Sequence, residues 1–295
     1  MRRDIATVPP LEDQGPARTD MTAASNASNK DARRLVLGAA VGFGINEVRV
    51  FVESLRGTGY AGDIMMLIAW PGIGVGHYLK KHGVKVQRVF QTRSFTRSVH
   101  ARRYLMYTEY LKAHGANYDQ VMLADTRDVV FQKHPFEGLD EPNCHFFLEA
   151  MGRTIGEDET NWRWVSHTVS KEDADKLSKK RISCSGITIG GTRAIVAYLD
   201  RLCSLVSAMP FRIYREIGHG YDQALHNYLV HLAPDIDGIV MENNGHIATM
   251  AIEPRALYRI DDKAVITLTS GHTPAICHQY DRFPDLRSAV EARWR

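Results

Sequence analysis

The sequence has few cysteines, no long apolar run and little net charge. Its 295 residues include four cysteines, and no two of them have the CxxC spacing of a zinc site. We expect these cysteines to be buried and reduced, as in a reducing compartment. The longest apolar stretch, Leu35–Ile45, has eleven residues, whereas a membrane helix needs about 20. The sequence therefore predicts no transmembrane segment.

No secretory signal is recognisable, because the charged start Met1-Arg2-Arg3 is followed by no apolar segment. This predicts a cytoplasmic protein and leaves room for peripheral association with the inner membrane face. A net charge of +3 is too small to indicate a nucleic-acid partner. The hydrophobic fraction of 44% and the charged fraction of 24% are typical of a globular protein with a sizeable core, and they exclude wholesale disorder, collagen and coiled coil.

The composition changes near residue 30. Residues 1–30 are rich in Pro, Ala, Ser, Thr, Asn and Asp and have few large apolar groups. Such a segment cannot bury enough surface to offset its ordering entropy, so we predict a disordered tail. Residues 31–295 are predicted to form a single domain.

Strands and helices alternate over the next ninety residues. The pattern predicts strands at 34–41, 63–70, 84–90 and 118–124, and helices at 46–57, 78–82 and 97–114, with Asn46 as the first cap. This alternation predicts an α/β fold with a mostly parallel central sheet flanked by helices. Ligands of such sheets bind beyond the carboxyl ends of the strands, so the loops after Ala40 and Ala124 are the first places to look for chemistry.

The second half of the chain is mixed. We predict strands at 146–150 and 182–189, helices at 170–180, 192–208 and 220–231, and an extended segment at 265–277. The first of these helices begins with the capping box Ser170–Asp173. Residues 151–168 are predicted to be irregular.

Two carboxylates follow the fourth predicted strand, in the segment VMLADTRDVVFQ, where Asp125 and Asp128 are three residues apart. Burying unpaired carboxylates is costly, but a divalent cation can hold them at a strand end, and Mg²⁺ and Mn²⁺ prefer oxygen ligands. The same residues would also fit an Asp cap with a surface ion pair to Arg127 or Arg103. The motif alone leaves both interpretations open.

Ser185 and Gly186 lie within an apolar strand. They offer a hydroxyl and an approachable backbone, as a hydrophilic ligand such as a sugar would need. A β-bulge would explain the same pair of residues. By itself, this motif is a weak signal.

Further polar residues come late in the chain. Asp222 and Gln223 stand in the first turn of a predicted helix, where an aspartate is commonly only a cap. His278 follows a short apolar run, and a single histidine there is more often structural than a ligand. His226 and His231 are five residues apart and so do not share a helix face. We expect both of them to be structural.

The order Asp-x-x-Asp, Ser-Gly, Asp-Gln, His over residues 33–285 resembles that of the GT-A glycosyltransferases, particularly the glycogenin-like and bacterial galactosyltransferase-like group. That group closes a strand with Tyr-Asp-x-Val-Leu-x-x-Asp-x-Asp, to which YDQVMLADTRD at 118–128 is similar. This chain has Asp-Thr-Arg-Asp in place of Asp-x-Asp. The family's Asn-Ser-Gly strand, Asp-Gln-x-x-Leu-Asn helix and late metal-binding histidine resemble CSG at 184–186, DQALHN at 222–227 and His278.

The resemblance implies a GT-A fold and a metal-dependent transfer of a sugar from a nucleotide-diphosphate sugar, with UDP as the expected nucleotide. The implied metal is Mn²⁺ or Mg²⁺, held by Asp125, Asp128 and His278. Because of the extra residue, either Asp128 alone reaches the metal directly, or Asp125 contacts it through the ribose or a water molecule. The acceptor would be a saccharide, a lipid-linked glycan or a soluble molecule, as in polysaccharide biosynthesis.

The resemblance also implies roles for the other site residues. The implied donor-binding residues are Ala40, Val41, Gly42, Arg102, Arg103, Asp125, Ser185 and Gly186. Gln223 would lie near the anomeric carbon, and Asp222 would bind a sugar hydroxyl. Retention of the anomeric configuration is implied, whereas an inverting enzyme would use Asp222 as the base. Trp162, Trp164, Arg212 and Arg215 fit the acceptor side, and they equally fit ordinary packing and a solvated face.

Two other classes of protein remain open. A metal-dependent phosphoesterase or nucleotide-sugar hydrolase would use the same carboxylates and histidine without an acceptor. A non-catalytic nucleotide-sugar-binding protein would tolerate the loss of Asp128 or His278, whereas both kinds of enzyme would lose activity. Free sugar released from the donor alone would favour the hydrolase, and a glycosylated acceptor would favour the transferase.

Overall fold

The computed structural model describes residues 33–90, 99–140 and 142–294. The predicted disordered tail lies outside these ranges, as do residues 97 and 98 of the predicted third helix. The strands are β1 Arg34–Ala40, β2 Asp63–Ala69, β3 Val84–Val89, β4 Gln120–Ala124, β5 Val129–Phe131, β6 Cys144–Leu148, β7 Ser183–Gly191, β8 Gly238–Met241, β9 Ile247–Thr249, β10 Tyr258–Ile260, β11 Ile266–Leu268 and β12 Ile276–His278.

The helices alternate with these strands in the first half of the chain. They are α1 Ile45–Gly57, α2 Ile73–Lys81, α3 Val99–His114, α4 Glu159–Thr168, α5 Lys171–Leu177, α6 Thr192–Ala208, α7 Phe211–Ile217, α8 Tyr221–Leu232 and α9 Pro284–Arg293. Short 3₁₀ helices lie at Gly115–Asn117, Ile155–Glu157, Arg255–Leu257 and Tyr280–Arg282.

The main sheet has seven strands in the order β3-β2-β1-β4-β7-β6-β8. β3, β2, β1 and β4 run parallel, β7 runs antiparallel to both of its neighbours, and β6 pairs in parallel with β8. The sheet is therefore mixed, and the predicted α/β fold with a helix-flanked central sheet is confirmed. The carboxyl ends of β1, β2, β3, β4 and β6 meet at one edge, where β7 begins.

The central strands β1, β2 and β4 are buried on both faces of the main sheet because they are apolar on both sides. In β1, Leu35 and Leu37 pack with residues of α3, α6 and α8, whereas Val36 packs with residues of α1 and α2. Successive side chains of a strand point to opposite faces. Helices therefore cover each face of the sheet.

A second sheet of three strands, in the order β5-β12-β9, lies beside the end of β4. β12 pairs antiparallel with β5 and parallel with β9. Leu286 and Val290 of α9 share a buried cluster with Cys277 of β12 and Ala248 of β9. The last part of the chain is in this way packed next to the loop that follows β4.

Several predicted elements need correction. Residues 151–168 are not irregular, because they contain α4. Asp158 caps this helix by accepting the Asn161 backbone N–H at 2.9 Å, and Val165 is buried beneath it. The extended segment predicted at 265–277 consists of two short strands separated by a turn, and α7 was not predicted at all.

Of the two predicted helix caps, one is wrong and the other is confirmed. α1 begins after Gly44, whose N–H is accepted by Glu47 at 2.9 Å, and Asn46 lies inside the helix. The prediction that Asn46 caps α1 is therefore wrong. The Ser170 cap of α5 is confirmed, because its hydroxyl accepts the Asp173 N–H at 3.1 Å.

The two histidines of α8 lie in structural positions, as predicted. His226 Nδ1 is 2.7 Å from the Tyr198 hydroxyl and its Nε2 is 2.9 Å from the Ser183 hydroxyl, both inside the core. Burial lowers the pKa of His226 to about 3. His231 Nε2 contacts the Arg181 carbonyl at 2.8 Å.

The four cysteines agree with the prediction. Cys144, Cys184, Cys203 and Cys277 are all buried and unbridged.

Within the three described ranges, no helix by itself has the length and apolar composition needed to cross a bilayer. One pair, α6 with α7, meets both criteria jointly, and its two helices meet at 91°.

Candidate metal centre

Asp125, Asp128 and His278 converge at the carboxyl edge of the main sheet. Asp125 follows β4, Asp128 precedes β5, and His278 ends β12. The antiparallel pairing of β12 with β5 sets His278 opposite Val129. The Gln279 N–H also donates to the Asp128 carbonyl at 2.7 Å. Strand pairing therefore brings the late histidine to the two carboxylates.

The ligand atoms of these three side chains lie within 4.8 Å of one another. His278 Nε2 is 3.5 Å from Asp125 Oδ2 and 3.8 Å from Asp128 Oδ1. Both distances exceed the usual range of about 2.7–3.2 Å for a hydrogen bond, and Nε2 is buried with no hydrogen-bond partner in the structure. An imidazole nitrogen and two carboxylates are a suitable ligand set for a divalent ion such as Mn²⁺.

Gly186 of β7 borders the same space. A Cβ atom at this position would lie 2.4 Å from His278 Cε1 and 2.9 Å from Asp125 Oδ2. The Gly186 carbonyl accepts the Asp125 N–H at 2.7 Å, which ties β7 to the loop after β4. The missing side chain leaves room between the ligands, so the residues fit a bound metal ion.

Charged neighbours keep the Asp125 carboxylate ionised. Arg103 of α3 pairs directly with Asp125 Oδ1. Burial by itself would raise the pKa of Asp125, but Arg103 and His278 outweigh that effect and hold the pKa well below its usual range. Asp125 thus presents Oδ2 to the centre while Arg103 holds its other oxygen.

The pKa of His278 is shifted in the opposite direction, upward. Burial favours its neutral form, but the nearby carboxylates of Asp125 and Asp128 hold the pKa of His278 well above its usual value. Cys184 Sγ lies 3.5 Å from Nδ1, on the side of the ring away from the carboxylates. Burial raises the pKa of the Cys184 thiol. This neutral sulfur orients the ring so that Nε2 faces Asp125 and Asp128.

Two arginines surround Asp128. Arg127 Nη2 is 3.3 Å from Asp128 Oδ2 and 3.3 Å from Asp281 Oδ2. Arg282 Nη2 lies 3.8 Å from the same Asp128 oxygen. The predicted ion pair between Arg127 and Asp128 is therefore present, and it uses Asp128 Oδ2. The other oxygen, Oδ1, faces His278, so the ion pair is compatible with the candidate metal centre.

A cavity of about 350 Å³ opens beside Asp125 and Asp128. Its volume lies within the range of about 300–1,000 Å³ that is usual for small-molecule sites. Its lining includes three arginines, which would favour an anionic ligand. The lining residues are Ala39, Val41, Phe43, Val99, His100, Arg103, Asp125, Thr126, Arg127, Asp128, Gln279 and Arg282.

The structure corrects part of the predicted nucleotide loop. Val41 lines the cavity, but the Ala40 side chain is buried in the core on the side of α1, because strand residues alternate between faces. Ala39 faces the cavity in its place. Gly42 has a φ of 87°, in the left-handed region that favours glycine, and it turns the chain away after β1 without lining the cavity.

The two adjacent arginines of α3 differ in position. Arg103 is buried, and it contacts Asp125 and donates to the Tyr104 hydroxyl at 3.0 Å. Arg102 is half-buried and is absent from the residues that line the two cavities described here. Neighbouring helix residues point about 100° apart, and of these two arginines Arg103 is the one that faces the site. The prediction that Arg102 binds the nucleotide is not supported by its position.

A second cavity of about 140 Å³ lies on the other side of Asp125 and His278. The predicted sugar-binding residues Ser185, Gly186 and Asp222 line it, together with Gln223, which was predicted to lie near the anomeric carbon. Its lining residues are His100, Arg103, Asp125, Glu149, Trp164, Cys184, Ser185, Gly186, His219, Gly220, Asp222, Gln223, His278 and Gln279. Since Arg103 and Asp125 line both cavities, the two spaces adjoin at the candidate metal centre.

Gln223 is held by the protein at every polar atom of its amide. Its oxygen accepts the Ser185 N–H at 2.8 Å, and its nitrogen donates to Glu149 at 2.7 Å and to Asn161 at 3.4 Å. The side chain is therefore a brace between the Ser185 strand and Glu149. Asp222 is buried beside it and faces the cavity.

Glu149 is a site residue that the sequence analysis missed. It directly follows β6, its carboxyl is buried, and it lines the second cavity. The signal for it was present, because β6 reads CHFFL and ends in a carboxylate at the same edge as Asp125. The rule that pointed to the end of β4 applies equally to the end of β6.

Replacing Glu149 with glutamine is expected to stabilise the protein at alkaline pH. Burial raises the pKa of Glu149 to about 7, against the opposing effects of His278 and Gln223. Because the folded-state pKa is raised, the protonated carboxyl favours folding below about pH 4.5, and that contribution is lost as the pH rises through 7. We expect Glu149→Gln to raise the free energy of unfolding by about 2 kcal/mol more at pH 8 than at pH 5.

Denaturant unfolding at the two pH values measures this difference. Glu216→Gln, which removes an exposed carboxyl of α7, controls for the loss of one acidic group. An equal change in stability at both pH values would contradict the expectation.

The predicted acceptor residues are only partly brought together. Trp164 lines the second cavity, whereas Trp162 is half-buried against the cluster that contains Ile155. Arg212 and Arg215 are exposed on α7. The structure thus leaves Trp164 as the aromatic candidate for contact with a ligand.

The sequence matches no protein-family model, and it matches no curated protein.

Proposed function

We propose that this chain is a metal-dependent glycosyltransferase of the GT-A type that transfers a sugar from a nucleotide-diphosphate sugar to a saccharide or lipid-linked acceptor. The proposed donor is a UDP-sugar, the proposed metal is Mn²⁺ or Mg²⁺, and the proposed stereochemical outcome is retention. The order of the motifs supports the class, and the geometry supports the site.

One observation carries the proposal. Asp125, Asp128 and His278 stand between two adjoining cavities of different size, at the carboxyl edge of the sheet. The larger cavity has arginines on its wall and suits a nucleotide with its phosphates. The smaller one is lined by carboxyl, hydroxyl and indole groups, which suit the hydroxyls and the ring face of a sugar. A donor would then span the centre, with its diphosphate next to the two aspartates and His278.

A bound divalent ion would supply charge neutralisation for the departing diphosphate. The side chains of this protein would make the other contacts with the donor. Arg127 and Arg282, on the wall of the larger cavity, add positive charge near the phosphates. In the smaller cavity, Glu149 and Asp222 accept hydrogen bonds from sugar hydroxyls, while Gln223 fixes Glu149 and the Ser185 backbone in place.

A nucleotide panel tests the proposal. Thermal unfolding would be measured with UDP, GDP, CMP and ADP, and with their common sugar derivatives, with and without Mn²⁺. A ligand that binds only the folded state raises stability by about 2.7 kcal/mol at one hundred times its Kd. We expect one nucleotide to raise the melting temperature, and we expect this shift to require Mn²⁺. No shift with any nucleotide, with or without Mn²⁺, would contradict the proposal.

Turnover separates the transferase from a hydrolase with the same centre. The nucleotide sugar found in the panel would be incubated with Mn²⁺, alone and with candidate glycan acceptors. A glycosylated acceptor supports the transferase. Rapid release of free sugar, unchanged by any acceptor, would favour the hydrolase, and binding without turnover would favour a binding protein.

A further inference from the structure

Gln279 has a backbone conformation that glutamine rarely adopts. Its φ of 60° and ψ of 28° lie in the left-handed region, and it directly follows His278 at the end of β12. Among the described residues other than glycine, only Asn244 and Ala264 also have a positive φ. Asparagine is tolerated in this region because its short side chain can bond locally, whereas a glutamine there costs free energy. Strained residues of this kind cluster at functional sites.

Backbone hydrogen bonds hold Gln279 in this conformation. Its N–H donates to the Asp128 carbonyl at 2.7 Å, and its carbonyl accepts the Arg282 N–H at 3.2 Å. The preceding carbonyl, that of His278, accepts the Met250 N–H at 3.0 Å. The chain is therefore fixed on both sides of Gln279. Glycine would meet the same backbone requirement without strain, so the backbone alone does not account for a glutamine at this position.

The Gln279 side chain lies where the two cavities adjoin. The described residues that line both cavities are His100, Arg103, Asp125 and Gln279. Arg103 and Asp125 are paired with each other, and His100 is exposed. Gln279 is half-buried, and its amide oxygen is buried with no hydrogen-bond partner among the described residues. A buried amide oxygen in this state costs free energy unless a ligand or a water molecule donates to it.

We propose that Gln279 hydrogen-bonds the donor at the point where its diphosphate joins the transferred sugar. This role rests on the proposed function, because a donor that spans the centre passes from one cavity to the other beside Gln279. A carboxamide suits that point, since its nitrogen donates to phosphate oxygens and its oxygen accepts from a sugar hydroxyl. The group is uncharged, so it does not repel the diphosphate as a further carboxylate would.

Two substitutions of Gln279 test this role by titration calorimetry of the full chain, with Mn²⁺ alone and with UDP-glucose in the presence of Mn²⁺. Gln279→Gly removes the side chain and relieves the backbone, so we expect its unfolding temperature to equal or exceed that of the parent chain. Gln279→Glu keeps the size of the side chain and replaces the donating group with a negative charge. It leaves the backbone requirement unchanged, so its result stands even if Gln279→Gly folds poorly.

Both variants are expected to bind UDP-glucose roughly tenfold more weakly than the parent chain, which is the effect of losing a hydrogen bond to a charged group. Mn²⁺ alone is expected to bind both variants within a few fold of the parent chain, because all three candidate ligands remain. A purely structural role of Gln279 would not separate the two affinities in this way.

Ala264→Gly is the matched control. Ala264 has a φ of 54° in the turn between β10 and β11 and lines neither cavity, so glycine relieves a left-handed backbone there without touching the donor. We expect this variant to bind UDP-glucose as the parent chain does.

The inference is overturned if the parent chain binds UDP-glucose and either Gln279 variant binds it equally well. It is also overturned if the variants lose Mn²⁺ to the same extent as UDP-glucose, since Gln279 would then act through the metal. A parent chain that binds no UDP-glucose would contradict the proposed donor, and the role of Gln279 with it.

Discussion

Asp128→Asn is expected to abolish the Mn²⁺-dependent binding of a nucleotide and to lower turnover by roughly 1,000-fold. The substitution keeps the shape of the side chain and removes the charge that faces His278 Nε2 at 3.8 Å. Changes to groups that only support metal ligands already cost about 10–100-fold in metal affinity. We expect the loss of a ligand to exceed that range. Titration calorimetry with Mn²⁺ alone measures the affinity without reference to any reaction.

Asp281→Asn provides the matched control for Asp128. Asp281 shares Arg127 and Arg282 with Asp128, so its replacement disturbs the same ion pairs, but it does not belong to the ligand cluster. We expect this variant to keep its Mn²⁺ affinity within a few fold of the parent chain, because Asp281 acts on the centre only through the two arginines. If the two variants lost Mn²⁺ equally, the arginine network would be the important feature, and the metal assignment would be wrong.

Gly186→Ala is expected to remove the metal site without removing any ligand. The added methyl would lie 2.4 Å from His278 Cε1 and 2.9 Å from Asp125 Oδ2, in the space between the ligands. We expect Mn²⁺ affinity to fall by about 100-fold, comparable to the loss of a supporting group. Overpacking should also lower the free energy of unfolding by about 1–3 kcal/mol.

Gly57→Ala separates these two effects. A methyl at Gly57 would crowd the Trp294 ring at 2.8 Å, so it overpacks the protein away from the metal centre. We expect Gly57→Ala to lower stability and to leave Mn²⁺ affinity unchanged. Normal Mn²⁺ binding by a folded Gly186→Ala variant would show that the ion does not occupy this space.

β1, β2 and β4 were predictable because each is an apolar run that ends at glycine, proline or a charged turn, whereas the third strand was predicted from the alternation in VKVQRV. The four strands and their alternation with helices are confirmed. α4 was not predictable in the same way. Its sequence, ETNWRWVSHT, is largely polar, and Val165 is buried only because other elements pack against it. Such helices depend on contacts that no local pattern displays.

The candidate site, like the fold, could be predicted from the sequence only in part. The order of Asp125, Asp128 and His278 along the chain indicated a centre, and strand pairing brings the three together. The pairing of Arg103 with Asp125 selects one arginine of an adjacent pair, and this depends on the orientation of α3. Gln223 was assigned to the reaction centre, whereas its amide is fully used in bracing Ser185 and Glu149. The roles of Gln223 and Asp222 in the reaction stay predictions.

The candidate centre lies on the seam between the two sheets. Asp125 extends from β4 of the seven-stranded sheet, whereas Asp128 and His278 adjoin β5 and β12 of the three-stranded sheet. An ion bound there would act as a cross-link between segments far apart in the sequence, and its binding free energy would add to folding. Metal supply would then set how firmly the last part of the chain is attached, so that the loaded protein would also be the more rigid one.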